Sequence, residues 1–274
     1  MTRAVAILVL LLLQGCSVTQ LAYENAPLFL RWQANQYFDF RGEQAAELDQ
    51  RVDTFLAWHR SRALLQYARF AEEAGGRMLR GMKREDLEWG YDVLRAQVRE
   101  SLDAAAAGMA DLLDRLSPEQ IAYFEARLVE ENRKFAREQL QGTVEERRKR
   151  RLKRSLSRLE DWFGTLGDAQ AARVGRYVER SPLLAELRDS DRRRRQAELS
   201  AMIRAREAKQ RLAKWTVAWD EEHEPAYAAA ARADRAEYFE LLLELDGMLS
   251  PAQRERAAAR LRDYGATFDA LQRR

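Results

Sequence analysis

One cysteine, Cys16, and two histidines, His59 and His223, are all that 274 residues offer to thiol or imidazole chemistry. A lone thiol closes no intramolecular disulfide, and one thiol with two imidazoles falls short of the four ligands of a structural zinc site. No disulfide framework, metal or cofactor is therefore expected. β-Branched residues are equally scarce: from Cys16 onward there are 2 Ile, 9 Val and 6 Thr, too few for a sheet protein. No apolar run is long enough to cross a bilayer, since a span needs about 20 residues and the longest stretch, Ala4 to Leu13, is half that. Charge of one sign is missing too. With 47 Lys and Arg against 44 Asp and Glu, the chain projects no field that would draw nucleic acid, and nucleic acid is not an expected partner. Neither a Gly-rich phosphate loop nor a nucleophile elbow is present, no catalytic residue is marked, and the chain reads as a non-enzyme.

What is present begins with an address. Arg3, the apolar stretch Ala4 to Leu13 and small Gly15 before Cys16 have the three parts of an export signal. Leu13-Gln14-Gly15-Cys16 resembles the bacterial lipobox, with Gln14 departing from the small or β-branched residue usual there. The resemblance implies cleavage after Gly15 and lipidation of Cys16, including palmitate-type acyl groups. Acylation also removes a thiol that an oxidising compartment would attack and supplies membrane affinity at roughly 0.8 kcal/mol per buried methylene. Ser17, rather than Asp, follows the cysteine. By resemblance to lipoprotein sorting rules this implies the outer membrane, facing the periplasm.

The body is written in helix formers, and its five prolines, Pro27, Pro118, Pro182, Pro225 and Pro251, fall where the apolar pattern breaks. A stretch rich in aromatics from Tyr23 to Phe40 reads as the first helix, packed on the body or lying in the lipid interface. Leu48, Val52, Phe55, His59, Ala63, Tyr67 and Phe70 share one face of the next, which is expected to stop near Gly75-Gly76. The longest stripe, Leu87 to Leu116, keeps one side apolar for about 30 residues, or roughly 45 Å. Helices follow over Ile121 to Phe135, Val144 to Phe163 and around Val174 to Val178. A long polar helix over Leu183 to Glu222, then Tyr227 to Met248 and Pro251 to Leu271, complete the count. The expectation is an all-α, elongated multi-helix bundle of about eight amphipathic helices. It comprises a leader (1–15), a lipidated tether with its aromatic helix (16–40) and a body (41–274), which Gly142 offers to divide into sub-bundles 41–142 and 143–274.

Two segments match at a distance of 133 residues: Leu116-Ser117-Pro118-Glu119-Gln120 and Leu249-Ser250-Pro251-Ala252-Gln253. Ser as N-cap, Pro at the first helical position and Gln reaching back to the cap amide make a capping box. Phe40-Arg41-Gly42-Glu43-Gln44 and Leu166-Gly167-Asp168-Ala169-Gln170 are degenerate copies that keep the apolar residue and the Gln. The pattern resembles the LTXXQ motif of the Spy and CpxP periplasmic chaperones and stress-response proteins, with Ser in place of Thr. An ordinary capping device has the same spacing, and both readings stand.

A broader resemblance rests on the lipobox, Tyr23-Glu24-Asn25-Ala26-Pro27, the Tyr37 to Gln44 stretch, Trp58-His59-Arg60 with Tyr67-Ala68 behind it, and Asp161-Trp162-Phe163-Gly164. Together these are similar to an uncharacterised bacterial lipoprotein family, classed as a domain of unknown function. That resemblance implies an all-helical envelope lipoprotein, with Cys16 as its modified residue and Trp58, His59 and Arg60 as its most recognisable cluster. On its own residues His59 reads as a packed, hydrogen-bonded histidine or as a pH-sensitive one. His223, in Glu221-Glu222-His223-Glu224, could contribute to a metal site, but with no zinc ligand set available the stretch reads as exposed carboxylates beside a proline. Arg147, Arg148, Lys149, Arg150 and Arg151, with Lys153 and Arg154, form one cationic run, and Arg192 to Arg195 another. Each is a solvated helix face or a contact for anionic headgroups, at about 1 kcal/mol per cation near a charged surface. The expected function is a lipid-anchored periplasmic protein that binds an envelope protein or component without catalysis, or else a Spy/CpxP-like chaperone. The expected partners are the membrane, through the N-terminal lipid, and an unidentified envelope molecule.

Overall fold

The structure is a computed structural model that describes residues 14–218 and 221–273. The leader's apolar stretch lies outside the described residues. Cys16 falls on the backbone of the first described helix, and its side chain lies outside that description. In chain order the helices are α1 (Gln14–Glu24), α2 (Ala26–Phe38), α3 (Glu43–Trp58), a π-turn (His59–Ala63), α4 (Leu64–Arg80), α5 (Arg84–Asp114) and α6 (Pro118–Phe135). A second π-turn (Ala136–Leu140) then leads to α7 (Val144–Phe163), α8 (Asp168–Arg180), α9 (Ala185–Arg204), α10 (Ala208–Val217), α11 (Pro225–Asp246) and α12 (Pro251–Gln272). No strand occurs among the described residues, and the chain is all-α. The first π-turn fuses α3 to α4 and the second extends α6, so among the described residues eleven rods stand where the periodicity predicted about eight.

The differences have local causes. The aromatic helix expected over Tyr23 to Phe40 breaks at Asn25, where Pro27 sits in the first turn of α2. The polar helix expected over Leu183 to Glu222 is two helices, because Arg206 turns left-handed, with φ 60°. That turn folds α10 back along α5. There the Asp114 carboxylate accepts from the Ala208 and Lys209 amides at 2.7 and 3.1 Å, capping a helix 94 residues away. Gly75-Gly76 does not end its helix. α4 runs on to Arg80 and stops at Gly81, whose φ of 92° only glycine adopts without strain. Gly75 serves packing instead: a Cβ there would sit 3.6 Å from the Ala258 carbonyl, and one on Gly265 would sit 3.4 Å from the Ala68 carbonyl. α4 and α12 thus lie antiparallel along a seam of Ala68, Ala71 and Gly75 against Ala257, Ala258 and Gly265.

Two apolar cores result, and each draws on both sides of Gly142. The first joins Phe40, Leu48, Val52 and Leu56 to Leu112, Leu116 and Phe124, and closes with Met202, Ile203, Ala208 and Leu212 from α9 and α10. The second joins Met78 at the end of α4 to Leu159, Phe163, Val174, Tyr177, Val178, Leu241, Leu245, Ala257 and Ala258.

One glutamine clasp of repeated design sits in each core region. Gln120 Nε2 donates to Gln44 Oε1 at 2.7 Å and to the Asp39 carbonyl at 3.0 Å, while Gln44 Nε2 reaches the Arg115 carbonyl at 3.3 Å. Gln170 Nε2 donates to Gln253 Oε1 at 2.9 Å and to the Met248 carbonyl at 3.1 Å, while Gln253 Nε2 reaches the Thr165 carbonyl at 3.0 Å. Every one of these carbonyls lies five residues before the partner glutamine. Ser117, Gly167 and Ser250 also close the predicted capping boxes through their own amides.

Candidate functional site

The long apolar stripe of α5 finds a partner over only part of its length. Ala106, Leu112 and Leu113 are buried, whereas Tyr91, Leu94 and Val98 are exposed. Facing the uncovered stretch is a groove of about 440 Å³, within the range of about 300–1,000 Å³ usual for small-molecule sites. Tyr23 of α1 with Phe29 and Leu30 of α2 form one wall. Phe55 and His59 form the second, and Val98, Ser101, Leu102 and Ala105 of α5 form the third. Arg31 pairs with Asp49 and Asp53, and Arg51 donates to the Gly108 carbonyl, so α2 and α5 both run antiparallel to α3. This register gathers Tyr23, His59 and Ser101 at one end of the groove and leaves Leu30, Phe55 and Ala105 at the other.

The His59 end of the groove is built on the π-turn. The extra residue in the turn, marked by Leu64 N–H bonding to the His59 carbonyl, re-aims the helix face at His59, and such bulges recur at functional positions. The ring of His59 lies 5.7 Å from Tyr23, 5.9 Å from Phe55, 6.2 Å from Trp58 and 5.6 Å from Tyr67, centroid to centroid. Tyr67 in turn meets Phe268 of α12. Burial among these rings lowers the His59 pKa, favouring the neutral imidazole. In the tautomer protonated at Nε2, Nδ1 accepts the Tyr23 hydroxyl proton at 3.2 Å. Burial raises the Tyr23 pKa, against the pull of the neighbouring Arg60 guanidinium. Of the predicted cluster, then, His59 enters the groove, Arg60 stands exposed beside Tyr23, and Trp58 packs on Phe55 at 5.8 Å. Ser101, which the sequence reading did not single out, presents a buried Oγ with no hydrogen-bond partner. A serine on the apolar stripe of α5 is the one signal that would have drawn notice to it.

The cationic runs are partly turned inward. Arg147 pairs with Glu186, Arg148 donates to the last carbonyls of α8, including Glu179 O at 2.8 Å, and Arg150 donates to the Gln141 carbonyl. Arg151 donates to the Pro182 carbonyl at 2.8 Å, to the Tyr177 hydroxyl at 2.7 Å and to Asp234. Lys149, Arg150, Lys153 and Arg154 remain exposed. In the second run Arg192 and Arg193 bind Asp189, Arg194 binds Asp191 and Glu198, and Arg195 donates to the Trp215 carbonyl. His223 Nδ1 lies 2.7 Å from buried Asp191, whose other oxygen accepts the Glu224 amide at 2.8 Å, while Glu221 and Glu222 are exposed. Burial opposes the charge on Asp191, but the Glu224 amide, Arg194 and His223 outweigh it and hold the carboxyl below its usual range. Among the described residues no group of three or more His, Cys, Asp and Glu side chains is placed to share a metal ion.

Fold and site define a helical protein with two cores and a largely apolar groove between its N-terminal helices and α5. The chain belongs to the family of unknown function DUF6279, whose model matches residues 36–222, so it takes in Trp58, His59, Arg60, Ser101 and both cationic runs. No curated protein and no solved structure matches the chain.

Proposed function

We propose that the chain is a lipid-anchored, non-enzymatic binding protein of the bacterial envelope, acylated on Cys16 and held at the periplasmic face of the outer membrane. The observation that carries this reading is the apolar surface that follows the lipobox cysteine. Leu21 is 60% exposed, Leu28 68%, Phe29 57% and Trp32 53%. Four large apolar side chains left in water within some sixteen residues of the anchor are costly, at about 25 cal/mol per Å². A lipid interface offsets that cost and welcomes the indole in particular. No helix among the described residues is long and apolar enough to cross a membrane, which leaves the attachment in this reading to the lipid. Exposed Lys149, Lys153 and Arg154 are the cations of the first run still free to meet anionic headgroups.

Metabolic labelling with an alkynyl palmitate tests the anchor. Label is expected on the wild-type chain and none on Cys16→Ser, and a mature chain carrying an unmodified Cys16 thiol would overturn the proposal. The paired glutamine clasps favour a second reading, a Spy/CpxP-like chaperone, because all four LTXXQ-like copies serve one repeated design. For that reading, the full chain at equimolar concentration is expected to suppress aggregation of an unfolded client, and undiminished client turbidity would sink it.

A further inference from the structure

A second cavity, of about 230 Å³, opens between α7 and α11. α8 packs against both of these helices while they scarcely meet each other, and its buried Tyr177 lines the space left between them. From α7 come Arg151, Arg154, Ser155 and Arg158, whose i, i+3, i+4 and i+7 spacing puts them on one face. Asp234 and Tyr238 line the cavity from α11. Its charges are unevenly settled. Asp234, the one carboxylate among the described residues lining it, is taken by Arg151 and by the Tyr177 hydroxyl. Arg154 and Arg158 are exposed, and among the described residues neither has a hydrogen-bond or ion-pair partner. Like charges four residues apart on a helix repel, and an anion seated between them removes that repulsion. The hydroxyls of Ser155 and Tyr238 have no hydrogen-bond partner among the described residues either. Burial and the neighbouring Tyr177 raise the Tyr238 pKa against the pull of Arg158, so its O–H remains a donor.

From these features we infer that the cavity binds a phosphomonoester, its oxygens received by the guanidiniums of Arg154 and Arg158 and by the hydroxyls of Ser155 and Tyr238. Geometry separates this ligand from a carboxylate. A carboxylate has two oxygens in one plane, which a single arginine fork satisfies. Two forks on one wall and a hydroxyl on the other supply donors from several directions, as the three oxygens of a phosphate require. Charge agrees. With Arg151 offset by Asp234, two arginines remain uncompensated in the lining, and a phosphomonoester carries about −1.5 to −2 near neutral pH. Size limits what is enclosed: about 230 Å³ falls below the roughly 300–1,000 Å³ of sites that bury a drug-sized ligand, so the cavity takes the phosphate and leaves the rest of the molecule outside. The same chemistry is offered by a free phosphate ester and by a lipid whose headgroup ends in one. The inference does not depend on acylation of Cys16, since the cavity is built from α7, α8 and α11 alone.

The test is isothermal titration of the full chain, purified from whichever cell fraction contains it, with glycerol 3-phosphate and with water-soluble dihexanoyl phosphatidic acid. Saturable binding at one site per chain is expected for at least one of the two. Tighter binding of the phosphatidic acid identifies a lipid headgroup as the source, and equal or weaker binding identifies a free ester. Glycerophosphocholine, a phosphodiester with one oxygen and one charge fewer to offer, should bind about tenfold more weakly than glycerol 3-phosphate. Arg154→Gln, Arg158→Gln and Tyr238→Phe should each weaken binding about tenfold, the size of one charge-assisted hydrogen bond. Because Arg154 and Arg158 are exposed and unpaired, thermal melts of their variants should match the wild type. Lys149→Gln removes the same charge about 180° around α7 from Arg158 and should change the affinity less than twofold. Absence of binding by both monoesters, equal binding of glycerophosphocholine, or a loss in Lys149→Gln as large as in Arg158→Gln would each overturn the inference.

Discussion

Arg151 ties three segments together. From α7 it reaches the Tyr177 hydroxyl on α8, the Pro182 carbonyl after that helix and Asp234 on α11, and its guanidinium lies 5.0 Å from the Tyr177 ring centre. Lys149, two residues earlier in the same run, is exposed to solvent. Charge reversal should therefore separate them. Arg151→Glu is expected to destabilise the chain by about 2–3 kcal/mol, because it sets two carboxylates against each other in a half-buried site. Lys149→Glu should stay within about 0.5 kcal/mol, and urea unfolding of both variants decides the matter. A run of cations in a sequence does not reveal this division. Lys149 and Arg151 differ by about 200° around a helix, and only the positions of α8 and α11 decide which side is inside. His59 was more legible: its place on an apolar face and its aromatic neighbours are written locally, whereas the π-turn that aims it is not.

Helix starts repeat one solution three times, at Gln120, Gln170 and Gln253, and the repetition has energetic content. A capping glutamine satisfies its own helix's first amide, and in each clasp its free amide group then bonds the partner glutamine and a carbonyl across the interface. Gln170 is 5% exposed. Removing its side chain strands the Gly167 amide, the Met248 carbonyl and one face of Gln253 together, so Gln170→Ala is expected to cost about 2 kcal/mol. If the clasp acts as a unit, a double-mutant cycle with Gln253→Ala should return a coupling of about 1 kcal/mol. Additive losses in thermal or urea unfolding would show two independent caps instead. The boxes themselves follow from Ser117, Pro118 and Gln120 and their later copy. That Gln44 faces Gln120 and Gln170 faces Gln253 does not follow from sequence, since separations of 76 and 83 residues leave the pairing open.

Across the entire chain, neither core is a contiguous stretch of sequence. Met202, Ile203, Ala208 and Leu212 complete the first core from beyond Gly142, and Met78 supplies the second from before it. The α4–α12 seam joins residues nearly two hundred positions apart. Cutting the chain at Gly142 should then expose apolar surface on both pieces. Separate polypeptides of residues 14–142 and 143–274 are each expected to lack dispersed amide NMR signals, and to regain them when produced together. A dispersed spectrum from either piece alone would refute this architecture. The same arrangement creates the groove: α9 and α10 cover the C-terminal part of α5, and the middle of that helix keeps an uncovered face toward α1 and α2.

Helix content, the capping boxes, the proline-marked breaks and the apolar identity of most groove residues belong to the sequence itself, because each depends on contacts within a few residues and on a 3.6-residue period. The left-handed turn at Arg206, the Asp114 cap on α10, the inward fate of Arg147, Arg148 and Arg151, and the lone hydroxyl of Ser101 belong to the tertiary structure. Each of these turns on which distant helix arrives at a given face. An amphipathic stripe states that a helix needs a partner, but it does not say which one, or how much of the stripe that partner will cover.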